Sequence, residues 1–250
     1  MNQATLNSPE IAQATLQGPQ GAFQFHLFKT DASFQITNDI LSGLTYPIVP
    51  FVSDVKTVVD IGANIGAASA YFAIAYPDAR AYAFEPGSAP FSLLRQNAQH
   101  FPNVQVFPFG LHSSDQTMRL FHGKQDSMES SVCPTNRTSD ENEQIRVKNA
   151  AQIFVENGID RVDVLKIDTE GCEVPILQSL KNYLPEVKAL YVEYHSERDR
   201  RMIDAILADT HVLWAGHVAL AYRGEFCYLR RDLLPDESGT FACEILLGLE

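Results

Sequence analysis

Residues 57–71, TVVDIGANIGAASAY, constrain the fold of this chain more than any other stretch. Val58, Val59 and Ile61 around Asp60 make a run suited to a buried strand, which meets two glycines separated by three residues, Gly62 and Gly66, and passes into an alanine-rich segment of helical character. The pattern reads as strand, tight turn and helix. Gly62 can adopt a positive φ and bring backbone close to a ligand, while Gly66 lets the helix pack on the strand with its first N–H groups facing the crevice. A turn of this kind holds a nucleotide or nucleoside.

The choice among nucleotides follows from two residues. A pyrophosphate lies against bare backbone and wants glycine at the middle position of G-x-G-x-x-G, where this chain has Asn64. Asp60, a carboxylate at the strand end, repels phosphate and suits an ammonium or a ribose hydroxyl, both of which S-adenosylmethionine carries. The DIGANIG variant resembles class I methyltransferases. With AFEP (83–86), KIDTEG (166–171, Thr169 standing where valine is usual) and VEYH (192–195), the chain resembles the FkbM family of O-methyltransferases over most of residues 60–195. The resemblance implies an α/β Rossmann-like fold: a mostly parallel seven-stranded sheet, helices on both faces and an antiparallel last strand. It also implies S-adenosyl-L-methionine as cofactor and a hydroxylated small molecule, a polyketide, peptide or sugar moiety, as acceptor.

At 250 residues the chain suits one α/β domain over residues 53–250, preceded by an N-terminal arm and cap segment over residues 1–52. Acidic residues (31) outnumber basic ones (19), giving a net charge of -12, which disfavours nucleic acid and anionic membrane surfaces as partners. Cys133, Cys172, Cys227 and Cys243 form no C-x-x-C pair and read as reduced thiols. No apolar run reaches the ~20 residues needed to span a bilayer, so the expectation is a soluble cytoplasmic protein, with a dimer compatible.

Along the chain, residues 1–20 are polar and read as a frayed arm or loosely docked cap, 23–28 as a half-buried strand, and 40–51 as a short helix. The second core strand ends at Glu85, about 19 positions past Gly66 and so near the ~20 expected of the acid that bonds ribose hydroxyls. Residues 110–115 read as a loop beside the adenine, with Asp115 as a candidate acceptor from its amine, or else as an ordinary solvent-facing turn. Residues 124–143 are long, polar and poor in apolar side chains, the composition of a mobile substrate loop. The cofactor set is therefore Asp60, Gly62, Asn64, Gly66, Glu85, Asp115 and Asp168.

A second constellation lies further on. Lys166 inside the strand of residues 162–168 needs a counter-charge, and Glu193 in the next strand is the expected partner. Asp168, Glu170 and His195 arrive at the carboxyl edge of the sheet, where open parallel sheets bind ligands. Oxygen methylation needs a base, and His195 has a suitable free pKa, with Asp168 or Glu170 orienting it or acting instead. The same three could bind a divalent cation, a reading not favoured. The segments 218–222 and 225–229 about Arg223-Gly224 read as a hairpin, 241–249 as one more strand, and Trp214 as core or cleft wall. The rivals are a nicotinamide-dependent oxidoreductase, disfavoured by Asn64 and Asp60, and a degenerate methyltransferase fold that only binds.

Overall fold

The structure, a computed structural model, describes residues 10–18, 21–123, 130–132 and 138–234. The strand expected at 241–249, two of the four cysteines and parts of the expected arm and substrate loop lie outside the described residues.

Strand β1 (Ile11–Gly18) pairs antiparallel with β2 (Gly21–Phe28), and helix α1 (Asp31–Leu41) follows. Then come β3 (Thr57–Ile61), α2 (Ala67–Ala75), β4 (Arg80–Phe84), α3 (Ser88–Ala98) and β5 (Val104–Phe107). A small sheet is built from β6 (Gly110–His112), β7 (Gln116–Gly123) and β8 (Thr138–Asn149). The chain continues through α4 (Ala150–Glu156), β9 (Val164–Ile167), α5 (Glu173–Ser179), β10 (Ala189–Tyr194), α6 (Glu197–Leu207), β11 (His211–Leu220) and β12 (Arg223–Arg230).

Among the described residues the main sheet has seven strands in the order β11-β12-β10-β9-β3-β4-β5, with β12 antiparallel to both of its neighbours. Strand alternation sends side chains to two cores. Val59, Ile61, Leu165 and Ile167 pack beneath α4, α5 and α6, whereas Val58, Val164 and Tyr191 pack with α2 and the β1–β2 hairpin. This is the architecture expected from the sequence, and it brings the carboxyl ends of β3, β4, β9 and β10 to one edge.

Three expectations are corrected. The helix lies at 31–41 and not 40–51, because Thr30 caps it, accepting from the Ser33 amide at 3.0 Å, while Gly43 (φ 78°), Pro47 and Pro50 cannot continue a helix. The arm is not frayed over residues 11–18, which pair with β2 along their whole length. Asn97 fastens the hairpin to the domain: its carbonyl accepts from the His26 amide at 2.8 Å, and its amide donates to the carbonyls of His26 (2.9 Å) and Ile65 (2.8 Å). Residues 138–143 belong to β8, not to a substrate loop. They are polar because this end of the strand is largely exposed, so the ladder with β7 satisfies the backbone without apolar side chains.

Candidate functional site

A cleft of ≈ 960 Å³ opens at the carboxyl edge of the main sheet, closed on one side by α1 and the loop after it and on the other by the small sheet. The β3–α2 turn forms its floor. Gly62 has φ 82°, and a Cβ there would stand 1.7 Å from the Asp168 carbonyl oxygen, so only glycine lets β3 and β9 end this close together. Asn64 takes the left-handed conformation (φ 49°), which turns the backbone back towards α2. Glu85, just past β4, accepts from the Asn64 amide at 2.8 Å and the Gly87 amide at 2.7 Å. Burial pushes its carboxyl up to about 7 against the pull of those amides. Glu85 thus shapes the turn while also lining the cleft.

The structure separates the expected cofactor residues. Gly62, Asn64, Glu85 and Asp168 line the cleft. Gly66 sits behind it, where an added Cβ would come within 2.8 Å of Leu94 Cδ1. Asp60 also lies behind the turn, accepting from Ser69 Oγ at 2.6 Å and facing Lys166 Nζ at 3.1 Å. Asp115 is exposed, accepts from the Asn149 amide at 2.7 Å and does not reach the cleft. From the expected 110–115 loop the cleft takes Gly110 and Leu111, because residues 110–112 are strand β6.

Lys166 pairs with Asp60, not with Glu193. The register explains the difference: Lys166 stands opposite Asp60 on β3 and opposite Tyr191 on β10, which puts Glu193 two positions beyond it. Lys166 also donates to the Gly62 carbonyl at 2.7 Å and lies 3.7 Å from Asp168. Burial opposes its charge, but Asp60 and Asp168 outweigh it and keep the ammonium protonated. Burial likewise works against ionised Asp168, yet Lys166, a hydrogen bond with Glu193 and the nearby cations hold its carboxyl below the usual range.

Glu193 finds its counter-charge in Arg223, at the start of β12, whose Nε donates to it while Nη2 reaches Glu170 at 3.2 Å. Burial and Asp168 drive the Glu193 carboxyl well above its ordinary value. His195 is clasped by carboxylates: Nε2 is 3.0 Å from Glu170 and 3.6 Å from Glu193, and Nδ1 is 3.4 Å from Glu173. Burial disfavours the imidazolium, but Glu170 and Glu173 outweigh it and raise the pKa to about 11. His195 therefore stands charged near neutrality and, lying off the cleft wall, is not positioned to take a proton from an acceptor.

Glu173 organises this corner. Fully buried, it accepts from the amides of Thr169 (3.0 Å) and Gly171 (3.1 Å) and from Thr169 Oγ1 (3.0 Å), fixing a loop in which Glu170 has φ 54°. Asp168, Glu170, Glu193 and His195 bring one ligand atom each within 4.8 Å of one another, a donor set that could hold a hard divalent cation. In this structure the Arg223 guanidinium supplies positive charge at that place. Sequence reasoning missed Arg223, Glu225 and His217 on the cleft wall. The available signal was Glu193 itself, a buried acid whose partner had to come from somewhere, and the nearest unassigned cation in the next hairpin was Arg223.

Comparison with known proteins bears on these features. Residues 60–211 match the family model described as Methyltransferase FkbM domain. "Methyltransferase sdnD" of Sordaria araneosa is 26% identical over 239 residues, 82% of this chain and 90% of that protein. "Hexuronic acid methyltransferase AglP" of Haloferax volcanii is 28% identical over 155 residues, 60% of each. Among solved structures, the putative methyltransferase yhhF from Escherichia coli aligns at TM-score 0.46 and 14% identity, covering 88% of this chain and 98% of that one. Among the described residues, no helix is long and apolar enough to cross a membrane.

Proposed function

Since the chain belongs to the FkbM methyltransferase family, we propose that it is an O-methyltransferase that uses S-adenosyl-L-methionine to methylate a hydroxyl of a small natural product, a polyketide, peptide or sugar moiety. The observation that carries this reading is the meeting of the glycine turn, Glu85 and Asp168 in one cleft, with Gly62 packed so closely on Asp168 that no side chain fits. The donor set suits the cofactor. Glu85 has acceptor capacity left for ribose hydroxyls beyond the two amides it already binds, Asn64 stands where a pyrophosphate would need glycine, and the surrounding carboxylates favour a cation over a phosphate. When bound, S-adenosylmethionine supplies a methyl group made electrophilic by its sulfonium.

The chain's own residues then have distinct tasks. Asp168 and Glu170 offer carboxylates to the acceptor hydroxyl, and one of them receives its proton. His195, held as an imidazolium between Glu170 and Glu173, fixes Glu170 and is a positioning residue. Calorimetry with S-adenosylhomocysteine and NAD tests the cofactor, and tighter binding of NAD would overturn the reading. Mass spectrometry over a panel of hydroxylated metabolites should find a product one methylene heavier. With that acceptor, Asp168→Asn or Glu170→Gln should lose roughly 10²–10⁴ in turnover while S-adenosylhomocysteine still binds. Full turnover by both variants would remove these carboxylates from the mechanism.

A further inference from the structure

Among the described residues, eight carboxyl side chains line the cleft, against one lysine and one arginine. Most are engaged. Asp168 faces Lys166, Glu170 and Glu193 share Arg223, Glu85 takes two amides, and Glu143 accepts from the Ser88 amide at 3.1 Å. Glu225 differs. It is half-buried on β12, opposite Glu193 on β10 and His217 on β11, and among the described residues no hydrogen bond or salt bridge reaches its side chain, a state it shares in this cleft only with the exposed Glu141.

Its carboxyl keeps some access to water, but half-burial still disfavours the charged form, and its neighbours add to the cost: Asp168 repels it, while Arg223, His217 and Lys166 only partly offset the burial. A cation from outside the chain would remove that cost. Burial pushes Glu85 and Glu193 towards their neutral forms, and Lys166, Arg223 and the cofactor's net positive charge offset three of the remaining six carboxylates, so an anionic acceptor would still enter a negative field. Phe28, Ile36 and Leu44 line the cap side, which suits an acceptor whose remaining surface is apolar.

We propose that the acceptor carries, besides its hydroxyl, a protonated amine held by Glu225. The inference rests on the methyl-transfer reading, which makes the β10–β12–β11 end of the cleft the acceptor side. A primary ammonium fits because its three donors can serve closely placed carboxylates from one compact head.

The test uses matched probes on the protein saturated with S-adenosylhomocysteine: tyramine, tyrosol and 4-hydroxyphenylacetate, then glucosamine, glucose and glucuronate. Each set shares a scaffold and a hydroxyl and differs in charge, and affinities are read by ligand-observed NMR. In at least one set the amine should bind about tenfold or more tighter than the neutral probe, with the carboxylate weakest. Glu225→Gln should abolish the amine's advantage and leave S-adenosylhomocysteine affinity unchanged, which also shows that the variant folds. Glu141→Gln, at an exposed cleft carboxylate, should keep the advantage. No amine preference in either set, including no detectable amine binding, overturns the proposal. A preference that survives Glu225→Gln but vanishes in high salt overturns the role of Glu225. Failure of the wild type to bind S-adenosylhomocysteine is a different result and strikes the methyl-transfer reading instead.

Discussion

On the β3–β4 side of the cleft, backbone does most of the shaping: two glycines, the left-handed Asn64, and amides gathered by one carboxylate, Glu85. On the β9–β10–β12 side the same edge is built from charged side chains drawn from the strands, their carboxyl ends and the start of α5, with Arg223 and His195 set among Asp168, Glu170, Glu173 and Glu193. The first side tolerates little change in shape, and its cleft carboxylate, Glu85, is held by backbone amides rather than by an ion pair. The second can absorb changes in shape, yet burial and neighbouring charges together set the protonation of Asp168, Glu173, Glu193 and His195. A wall of backbone suits the part of a ligand common to a whole family, and a wall of side chains suits the part that varies.

The sharpest way to break this contrast is Gly62→Ala. Its Cβ would fall 1.7 Å from the Asp168 carbonyl in a left-handed backbone, so urea unfolding should show a loss of roughly 3–5 kcal/mol or no folded protein. A loss under about 1 kcal/mol would mean that β3 and β9 part easily and that the turn is not rigid.

Next in size is Glu173→Gln, which takes the buried counter-charge from His195 and should cost about 3 kcal/mol. The His195 value is raised from 6.5 to about 11 on folding, so this histidine stabilises the fold fully below about 6.5, and the contribution fades as pH rises towards about 11. The destabilisation caused by His195→Gln should accordingly be full at about pH 6 and shrink as the solution becomes alkaline. Nitrogen NMR should report an imidazolium at about pH 8 in the wild type, and a neutral ring there would return His195 to candidacy as the base.

The smallest effect belongs to the backbone-built side. Glu85→Gln keeps the shape but loses the charge, and should weaken S-adenosylhomocysteine binding by about 1.5–2 kcal/mol. Because burial pushes the Glu85 carboxyl up to about 7, wild-type affinity should fall as pH drops through that value, and the variant should lack this dependence. An unchanged affinity and pH profile would confine Glu85 to holding the turn.

How much was legible follows the same division. That Gly62, Asn64 and Glu85 would meet at one cleft could be read in advance, because a strand–turn–helix writes its demands into adjacent positions and the end of the next parallel strand falls beside it. The Lys166–Glu193 pairing failed because strand parity gives the face of a side chain but not its register: Glu193 stands two positions beyond the residue opposite Lys166 on β10, whereas Asp60 on β3 stands directly opposite it. For His195 the free pKa says nothing of the three carboxylates around it, Glu193 two residues before it on β10, and Glu170 and Glu173 from the loop and helix that follow β9.

The sequence by itself determined the sheet, the turn at Gly62 and Gly66, and the arrival of Asp168, Glu170 and His195 at one edge, since hydrophobic periodicity and glycine placement act over a few residues. Only the tertiary structure decided which charges meet. It set Asp60 behind the turn, brought Arg223 across from the β11–β12 hairpin, left Asp115 outside and left the Glu225 side chain, among the described residues, without a hydrogen bond or ion pair, because ion pairs depend on distances between elements that local pattern does not encode.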